Sequence, residues 1–300
     1  MTIAQLNADY AIADQLTFVE GKGGLPFINI NNAHASAVIS VYAGQVLSFQ
    51  PQSAPADVLF LSDKAYYQAG KAIKGGVPIC WPWFGADPQG LGRPAHGFVR
   101  NRLWSVWGTA TTAAGETQVT LGLVDTPETQ AIWPYAFKLA LEITVGKTLR
   151  LALVTRNTGD QAFSITQALH TYFAVGDITQ TQVTGLEGTQ YIDKAAGANG
   201  ALKQQVGAVT IDAEVDRIYT SAPAELNIVD AALGRTIRIT SSGSNTAVVW
   251  NPWAKIAAEM ADLQDDDYLR LLCVETTNAA HDVVEVLPGN EHRMVAEYAV

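Results

Sequence analysis

Residues 137–153 read FKLALEITVGKTLRLAL, and this stretch carries the clearest structural signal in the chain. The alternating apolar positions are Phe137, Leu139, Leu141, Ile143 and Val145 in the first half and Leu149, Leu151 and Leu153 in the second. A period of two residues is typical of strands with one buried face. Because Gly146 and Lys147 interrupt the pattern, the stretch predicts two antiparallel strands joined by a short turn.

Shorter runs of the same kind recur at residues 37–49, 118–124, 235–240 and 247–250. Clusters of Gly, Asn, Asp, Ser and Thr separate these runs, for example at 157–160 and 241–245. Many short strands with frequent turns predict an all-β fold of large antiparallel sheets.

Helical periodicity is scarce, and only residues 63–74 and 125–135 are candidates for short helices. The sequence contains no convincing internal repeat and no linker-like block of Pro, Gly and Ser. We therefore treat residues 1–300 as a single domain with few short helices.

The composition excludes several classes of protein. Of the 300 residues, 48% are hydrophobic and 16% are charged, and the formal net charge is −10. The apolar fraction supports a large core and excludes a disordered chain. The negative charge repels nucleic acid and anionic membranes at long range, so we expect neither as a partner. No apolar run approaches the ~20 residues that a membrane helix needs.

The cysteines and the N-terminus bear on the compartment. Cys80 and Cys273 lie far apart in apolar stretches and form neither a disulfide framework nor a zinc motif. The N-terminal residues lack the basic and apolar regions of a signal peptide. The acidic run at 265–267 lacks the glycine of an EF-hand loop. We therefore expect a reduced, cytoplasmic, monomeric protein without a metal.

Basic residues are concentrated in residues 64–102, which we call the basic segment. It contains Lys64, Lys71, Lys74, Arg93, Arg100 and Arg102. Its only acid is Asp87, so the segment carries +5 within an acidic protein. Clustered charge most often covers a solvated face. Interspersed glycines and tryptophans favour the alternative of a rim that binds an anion, with flat rings available to a sugar.

Two titratable residues follow apolar strand-like runs. His170 ends the run from 165, and Glu275 follows Leu271–Val274. A histidine in such a place is most often a hydrogen-bonded core side chain. A glutamate there either faces water at an edge or is buried with a partner, and burial would raise its pKa toward that of a general base. We find no dinucleotide, P-loop, serine-hydrolase or zinc-protease motif.

Six blocks of sequence, taken together, resemble a known family. They are 74–85 (KGGVPICWPWFG), 96–101 (HGFVRN), 169–173 (LHTYF), 185–194 (GLEGTQYIDK), 250–253 (WNPW) and 274–278 (VETTN). In this order they are similar to the hexose-6-phosphate mutarotases, or glucose-6-phosphate 1-epimerases, of the aldose 1-epimerase superfamily. The resemblance implies a galactose-mutarotase-like β-supersandwich that uses no cofactor. It also implies interconversion of the α and β anomers of a hexose 6-phosphate, with glucose 6-phosphate as the expected substrate.

The resemblance also implies roles for single residues. His170 would be the general acid at the ring oxygen and Glu275 the general base at the anomeric hydroxyl, acting from opposite sides of C1. His96 and Asp193 would bind sugar hydroxyls, and Arg100 would bind the phosphate. Lys74 stands where the family usually has arginine, which keeps the charge and loses the bidentate fork.

Three alternatives stay open at this point. The chain could be an aldose 1-epimerase for unphosphorylated sugars, although the +5 of the basic segment is of no use to a neutral sugar. It could be a non-catalytic module that binds sugar phosphates, although both His170 and Glu275 are present. It could also be a sandwich that binds protein partners through its tryptophans.

Overall fold

The computed structural model describes all 300 residues, Met1–Val300, and most of the regular structure is extended. The strands, in chain order, are β1 (Leu16–Glu20), β2 (Pro26–Asn31), β3 (Ala35–Ser40), β4 (Gln45–Pro51), β5 (Ile79–Cys80), β6 (Ser105–Thr111), β7 (Thr117–Val124), β8 (Phe137–Val145), β9 (Leu149–Asn157), β10 (Phe163–Ile165), β11 (Gln167–Leu169), β12 (Tyr172–Ala174), β13 (Thr181–Thr184), β14 (Gln190–Asp193), β15 (Ala201–Gln204), β16 (Val209–Thr210), β17 (Val215–Tyr219), β18 (Glu225–Asp230), β19 (Arg235–Ser242), β20 (Thr246–Asn251), β21 (Leu271–Asn278), β22 (Val284–Val286) and β23 (Glu291–Ala299). The helices are α1 (Ile3–Tyr10), α2 (Pro127–Ile132) and α3 (Trp253–Glu259), with 3₁₀ turns at Lys22–Gly24, Val99–Asn101, Ile178–Gln180 and Asp267–Leu269. The prediction of an all-β fold with few short helices is confirmed.

The predicted hairpin lies inside the larger of two main sheets. β8 and β9 pair antiparallel with Val145 opposite Leu149, so residues 146–148 form the turn. Side chains along β8 alternate between buried and more exposed positions, as the apolar alternation predicts. The sheet has nine strands in the order β16-β13-β18-β19-β23-β9-β8-β7-β6.

A second sheet of eight strands packs on the first. Its order is β15-β14-β17-β20-β21-β11-β5, and β12 also pairs with β21. Every residue of β21 is buried, because both faces of this strand are covered. Leu272 and Val274 belong to the main core of 57 buried residues, whereas Leu271 and Cys273 pack in a separate cluster. Since alternate side chains point to opposite faces, Glu275 shares the face of Leu271 and Cys273.

Buried polar contacts hold the two sheets in a fixed relation. The Trp81 indole donates to the Thr155 hydroxyl at 2.9 Å. The hydroxyls of Thr171 and Tyr298 lie 2.5 Å apart, next to an edge-on contact between Phe173 and Tyr298. Such satisfied polar contacts inside an apolar core restrict the sheets to one packing arrangement.

Two smaller sheets complete the fold. β1 to β4 form a four-stranded sheet, and β10 pairs with β22. None of the helices has the length and apolar character that crossing a membrane requires.

The two predicted helices have different outcomes. The prediction at 125–135 is confirmed in shortened form as α2, which Thr126 caps and in which Pro127 occupies the first turn. The prediction at 63–74 is wrong, because this segment contains only turns, bends and irregular backbone. Its carbonyl groups bond to side chains instead: Tyr42 donates to the carbonyl of Lys71 at 2.6 Å, and Gln45 to that of Ile73 at 3.1 Å.

Candidate active site

A cavity of about 260 Å³ opens on the face of the eight-stranded sheet that carries Glu275. We call it the catalytic cavity. Its lining residues are Lys74, Phe84, His96, Arg100, His170, Tyr172, Asp216, Val248, Trp250, Met260 and Glu275. Five of the six predicted site residues are among them, and the exception is Asp193. A larger open groove of about 540 Å³ is lined by no histidine and no carboxylate, so it offers no acid–base chemistry.

The floor of the catalytic cavity consists of His170 and Glu275. Glu275 lies within β21, and His170 directly follows β11, which pairs with β21. His170 Nδ1 lies 3.4 Å from Glu275 Oε1. That the two groups act from opposite sides of C1 stays a prediction. Their side chains lie next to each other in the cavity. This arrangement suits the chemistry, because the ring oxygen and the anomeric hydroxyl are bonded to the same carbon.

Burial sets the protonation of this pair. It raises the pKa of Glu275 well above the ordinary value, and the nearby Asp216 carboxylate adds to the effect. Burial also lowers the pKa of His170 well below its ordinary value, as do the positive charges of Arg100 and Lys74. Both shifts favour the uncharged forms, a protonated Glu275 beside a neutral His170. Glu275 Oε2 and His170 Nδ1 are buried without a hydrogen-bond partner, so each atom can still form a hydrogen bond with a ligand.

His96 is held as a neutral imidazole. Its Nδ1 accepts a hydrogen bond from the Gly85 amide at 3.3 Å, which leaves the ring proton on Nε2. Burial, with the charges of Arg100 and Lys74, lowers its pKa to about 3. The sharp turn that presents it requires Gly97, because a Cβ at this residue would lie 1.8 Å from the Trp81 carbonyl oxygen. His96 can thus donate one hydrogen bond from Nε2 at pH values near neutrality.

Lys74 and Arg100 form the cationic rim of the catalytic cavity. Arg100 Nη2 donates to the Ala95 carbonyl at 3.1 Å and has no carboxylate partner. Lys74 Nζ lies 3.5 Å from Asp262 Oδ1 and 3.9 Å from Met260 Sδ. These contacts leave most of the donors of both groups free for an anion.

The rest of the basic segment contributes less to this cavity than its sequence suggests. Arg93 pairs with Asp87 and stacks over the Trp83 ring at 4.3 Å. Arg102 lies over the Phe98 ring at 5.4 Å and lines the open groove. Trp81 and Trp83 are buried, so neither ring is available to a sugar. The expectation that these tryptophans form the rim is therefore wrong.

The structure places Asp193 outside the catalytic cavity, where it pairs with Lys203 at 2.7 Å. Asp216 lines the cavity instead, and burial raises its pKa to about 6. The register explains the difference. Asp193 lies opposite Arg217, and residues opposite each other in a sheet point to the same face. Asp216 precedes Arg217 on β17, so its side chain points to the other face of the sheet. The side chain of Trp250, which lies opposite Asp216 on β20, points to that face too.

Comparison with known proteins identifies the family. Residues 26–299 match the family model described as aldose 1-epimerase. The chain belongs to the aldose 1-epimerase family. It is an enzyme of the isomerase class, and its sheets form the galactose-mutarotase-like fold.

Several relatives of this aldose 1-epimerase family member share most of its length. A Cenchrus ciliaris protein named "Putative glucose-6-phosphate 1-epimerase" is 37% identical over 92% of this chain and 84% of its own length. An Escherichia coli protein of the same name is 37% identical over 85% of this chain and 84% of its own. The crystal structure of a "putative mutarotase" from Salmonella typhimurium superposes with a TM-score of 0.89 at 31% identity, and covers 99% of this chain and 98% of its own.

Six of the lining residues of this family member are not predicted from its sequence. They are Phe84, Tyr172, Asp216, Val248, Trp250 and Met260. Tyr172 stacks on His170 with ring centroids 4.9 Å apart, and Trp250 meets His170 edge-on at 6.2 Å. Phe84, Tyr172 and Trp250 lie in the blocks that carry the resemblance, which was the only available signal. Met260 follows helix α3, which was not predicted, and no sequence signal points to this methionine.

The chain has no group of three or more His, Cys, Asp or Glu side chains that could hold a metal ion. That the reaction requires no cofactor stays a prediction.

Proposed function

We propose that this protein interconverts the α and β anomers of a hexose 6-phosphate, with glucose 6-phosphate as the substrate. The observation that carries the proposal is the 3.4 Å contact between His170 and Glu275 below a rim of two cations. The names of relatives with 37% identity support the same substrate.

The reaction needs one proton to be removed and one to be delivered. Transfer of the shared proton from Glu275 to His170 gives a carboxylate beside an imidazolium. The carboxylate of Glu275 takes the proton of the anomeric hydroxyl while His170 protonates the ring oxygen. The bond between C1 and the ring oxygen breaks, and the sugar opens to the aldehyde.

Ring closure completes the exchange of anomers. Rotation about the C1–C2 bond presents the other face of the aldehyde to the C5 hydroxyl. His170 then takes the proton of this hydroxyl, and Glu275 returns a proton to the new anomeric hydroxyl. The pair ends with one proton, as it began, so no external acid or base is consumed.

Two further polar groups fix the position of the sugar. Nε2–H of His96 donates to a sugar oxygen, because Nδ1 is already bonded to Gly85. The Asp216 carboxyl accepts a hydrogen bond from a sugar hydroxyl, the role that the family resemblance implies for Asp193. Trp250 and Tyr172 provide flat apolar surface next to these groups.

Lys74 and Arg100 bind the phosphate. Both line the same cavity as the acid–base pair, and charge-assisted bonds to phosphate are about twice as strong as neutral ones. A cavity for a neutral aldose would bury these two cations against its sugar without benefit. This favours the phosphorylated substrate over a free aldose.

Anomer exchange measured by NMR, on glucose 6-phosphate and on glucose in parallel, tests the proposal. We expect faster exchange of the phosphate ester and little effect on glucose. Equal acceleration of both sugars would assign the enzyme to free aldoses. Binding of glucose 6-phosphate without any acceleration would make the protein a non-catalytic sugar-phosphate module.

A further inference from the structure

A second cavity of about 260 Å³ adjoins the catalytic cavity, and we call it the side cavity. The two cavities share Lys74, Arg100 and Tyr172, so the cationic rim is also the boundary between them. Lys71 adds a third cation to the side cavity. Asp262 is the only carboxylate in its lining, and it has no role in the mechanism given above.

Asp262 is placed to act on Lys74. It lies between α3 and the 3₁₀ turn Asp267–Leu269, and its Oδ1 is 3.5 Å from Lys74 Nζ. The side chains of both residues are about four-fifths buried, with 17% of Lys74 and 21% of Asp262 exposed. A charge-assisted bond in good geometry is typically ~2.8 Å long, so this pair is loosely joined. An incoming anion can therefore separate it.

The two cations of the rim differ in whether a carboxylate already lies beside them. Arg100 bonds only to a carbonyl oxygen, and its whole charge is available to a ligand. Lys74 already faces a carboxylate, so a phosphate at the rim must share or displace this partner. The phosphate also comes close to the Asp262 charge itself, and like charges at this range repel each other.

We propose that Asp262 is a specificity-determining residue that limits affinity for anionic sugars by competing with the substrate phosphate for Lys74. The inference rests on the proposed function, because it takes the phosphate to lie at the cationic rim. It also concerns binding and not proton transfer, since Asp262 does not line the catalytic cavity.

Calorimetric titration of the Asp262→Asn variant tests this inference with ligands of graded charge. The ligands are glucose, glucose 6-sulfate with one negative charge, and glucose 6-phosphate, which is close to a dianion at pH 7.5. We expect the Kd of glucose 6-phosphate to fall about threefold to tenfold. A change of this size corresponds to the loss of the weak ion pair between Asp262 and Lys74, together with the loss of the repulsion between Asp262 and the phosphate. The Kd of the sulfate should fall less, that of glucose should not change, and kcat should stay within about twofold.

Asp265→Asn is the matched control, because Asp265 is exposed, lies three residues away and lines neither cavity. It removes the same charge and should leave all three Kd values unchanged. An unchanged or higher Kd of glucose 6-phosphate in Asp262→Asn would overturn the inference. So would an equal gain for glucose, or the same gain in the control.

The titration separates this inference from the proposed function. Tighter binding of glucose 6-phosphate by Asp262→Asn, with no exchange catalysed by the wild-type protein, would support the role of Asp262 and reject the enzyme activity. Normal exchange without tighter binding would support the activity and reject the role of Asp262.

Discussion

The floor and the rim of the catalytic cavity are built in different ways. Glu275 lies within a strand that is buried along its whole length, and His170 directly follows the strand beside it. Lys74 and Arg100 lie in the irregular basic segment, outside the main sheets. The proposed acid–base pair is thus fixed by the sheet, whereas the proposed phosphate-binding cations are carried by segments outside it.

Replacing the floor carboxylate should have the largest effect. Glu275→Gln keeps the shape of the side chain and removes the base, so we expect kcat for anomer exchange to fall by about a thousandfold. Exchange rates from NMR at saturating glucose 6-phosphate measure this. Circular dichroism provides the control for folding, and turnover within a few-fold of wild type would reject Glu275 as the base.

Replacing a rim cation should alter binding and leave chemistry in place. We expect Arg100→Ala to raise the KM of glucose 6-phosphate by about ten- to a hundredfold, because a charge-assisted contact is lost. The KM of glucose should not change. Arg102→Ala is the matched control, since it removes the same charge two residues away and outside the cavity. Equal effects of Arg100→Ala on both sugars would show that Arg100 does not bind the phosphate.

The floor should also differ from the rim in its effect on stability. In the unfolded chain the Glu275 carboxyl loses its proton as the pH rises above its ordinary pKa of 4.5. In the native state the same carboxyl keeps its proton to higher pH. The unfolded state then binds fewer protons, and the free energy of unfolding falls by up to about 1.4 kcal/mol per pH unit. Because glutamine does not titrate, Glu275→Gln is free of this pH-dependent loss. The free energy of unfolding of the variant, relative to that of wild type, should therefore increase from pH 5 to pH 7.

Urea unfolding at several pH values measures this difference. Arg100→Ala serves as the comparison, because a residue of the rim should change the unfolding free energy by less than about 0.5 kcal/mol at every pH. An advantage of Glu275→Gln that does not depend on pH would contradict the raised pKa.

The smallest effect should come from exchanging one rim cation for another. Lys74→Arg restores a bidentate fork, and we expect the KM of glucose 6-phosphate to fall about threefold. Lys64→Arg is the control, because Lys64 lines neither cavity. A higher KM in Lys74→Arg would show that the compact ammonium fits this site better than the fork.

How far the sequence predicts the molecule also differs between floor and rim. The alternation in residues 137–153 predicts β8 and β9, because strand periodicity is local. His170 and Glu275 stand out because polar groups at the ends of apolar runs are unusual. Their 3.4 Å contact is not predictable from the chain alone, since it depends on which strands become neighbours.

The acidic residue of the cavity shows where local information ends. Asp193 and Asp216 lie on neighbouring strands, and a register shift of one residue between these strands would put both side chains on the same face of the sheet. Sequence pattern does not fix this register. The tryptophans pose the same difficulty, since Trp81 is in the core while Trp250 lines the cavity.

The position of Trp250 gives the protein an optical reporter of occupancy. Of the seven tryptophans, it alone lines the catalytic cavity, while Trp81, Trp83, Trp104 and Trp133 are buried elsewhere. A sugar in the cavity displaces water from this one indole, so emission from Trp250 should shift to shorter wavelength on binding. The other six rings supply a constant background that serves as an internal standard.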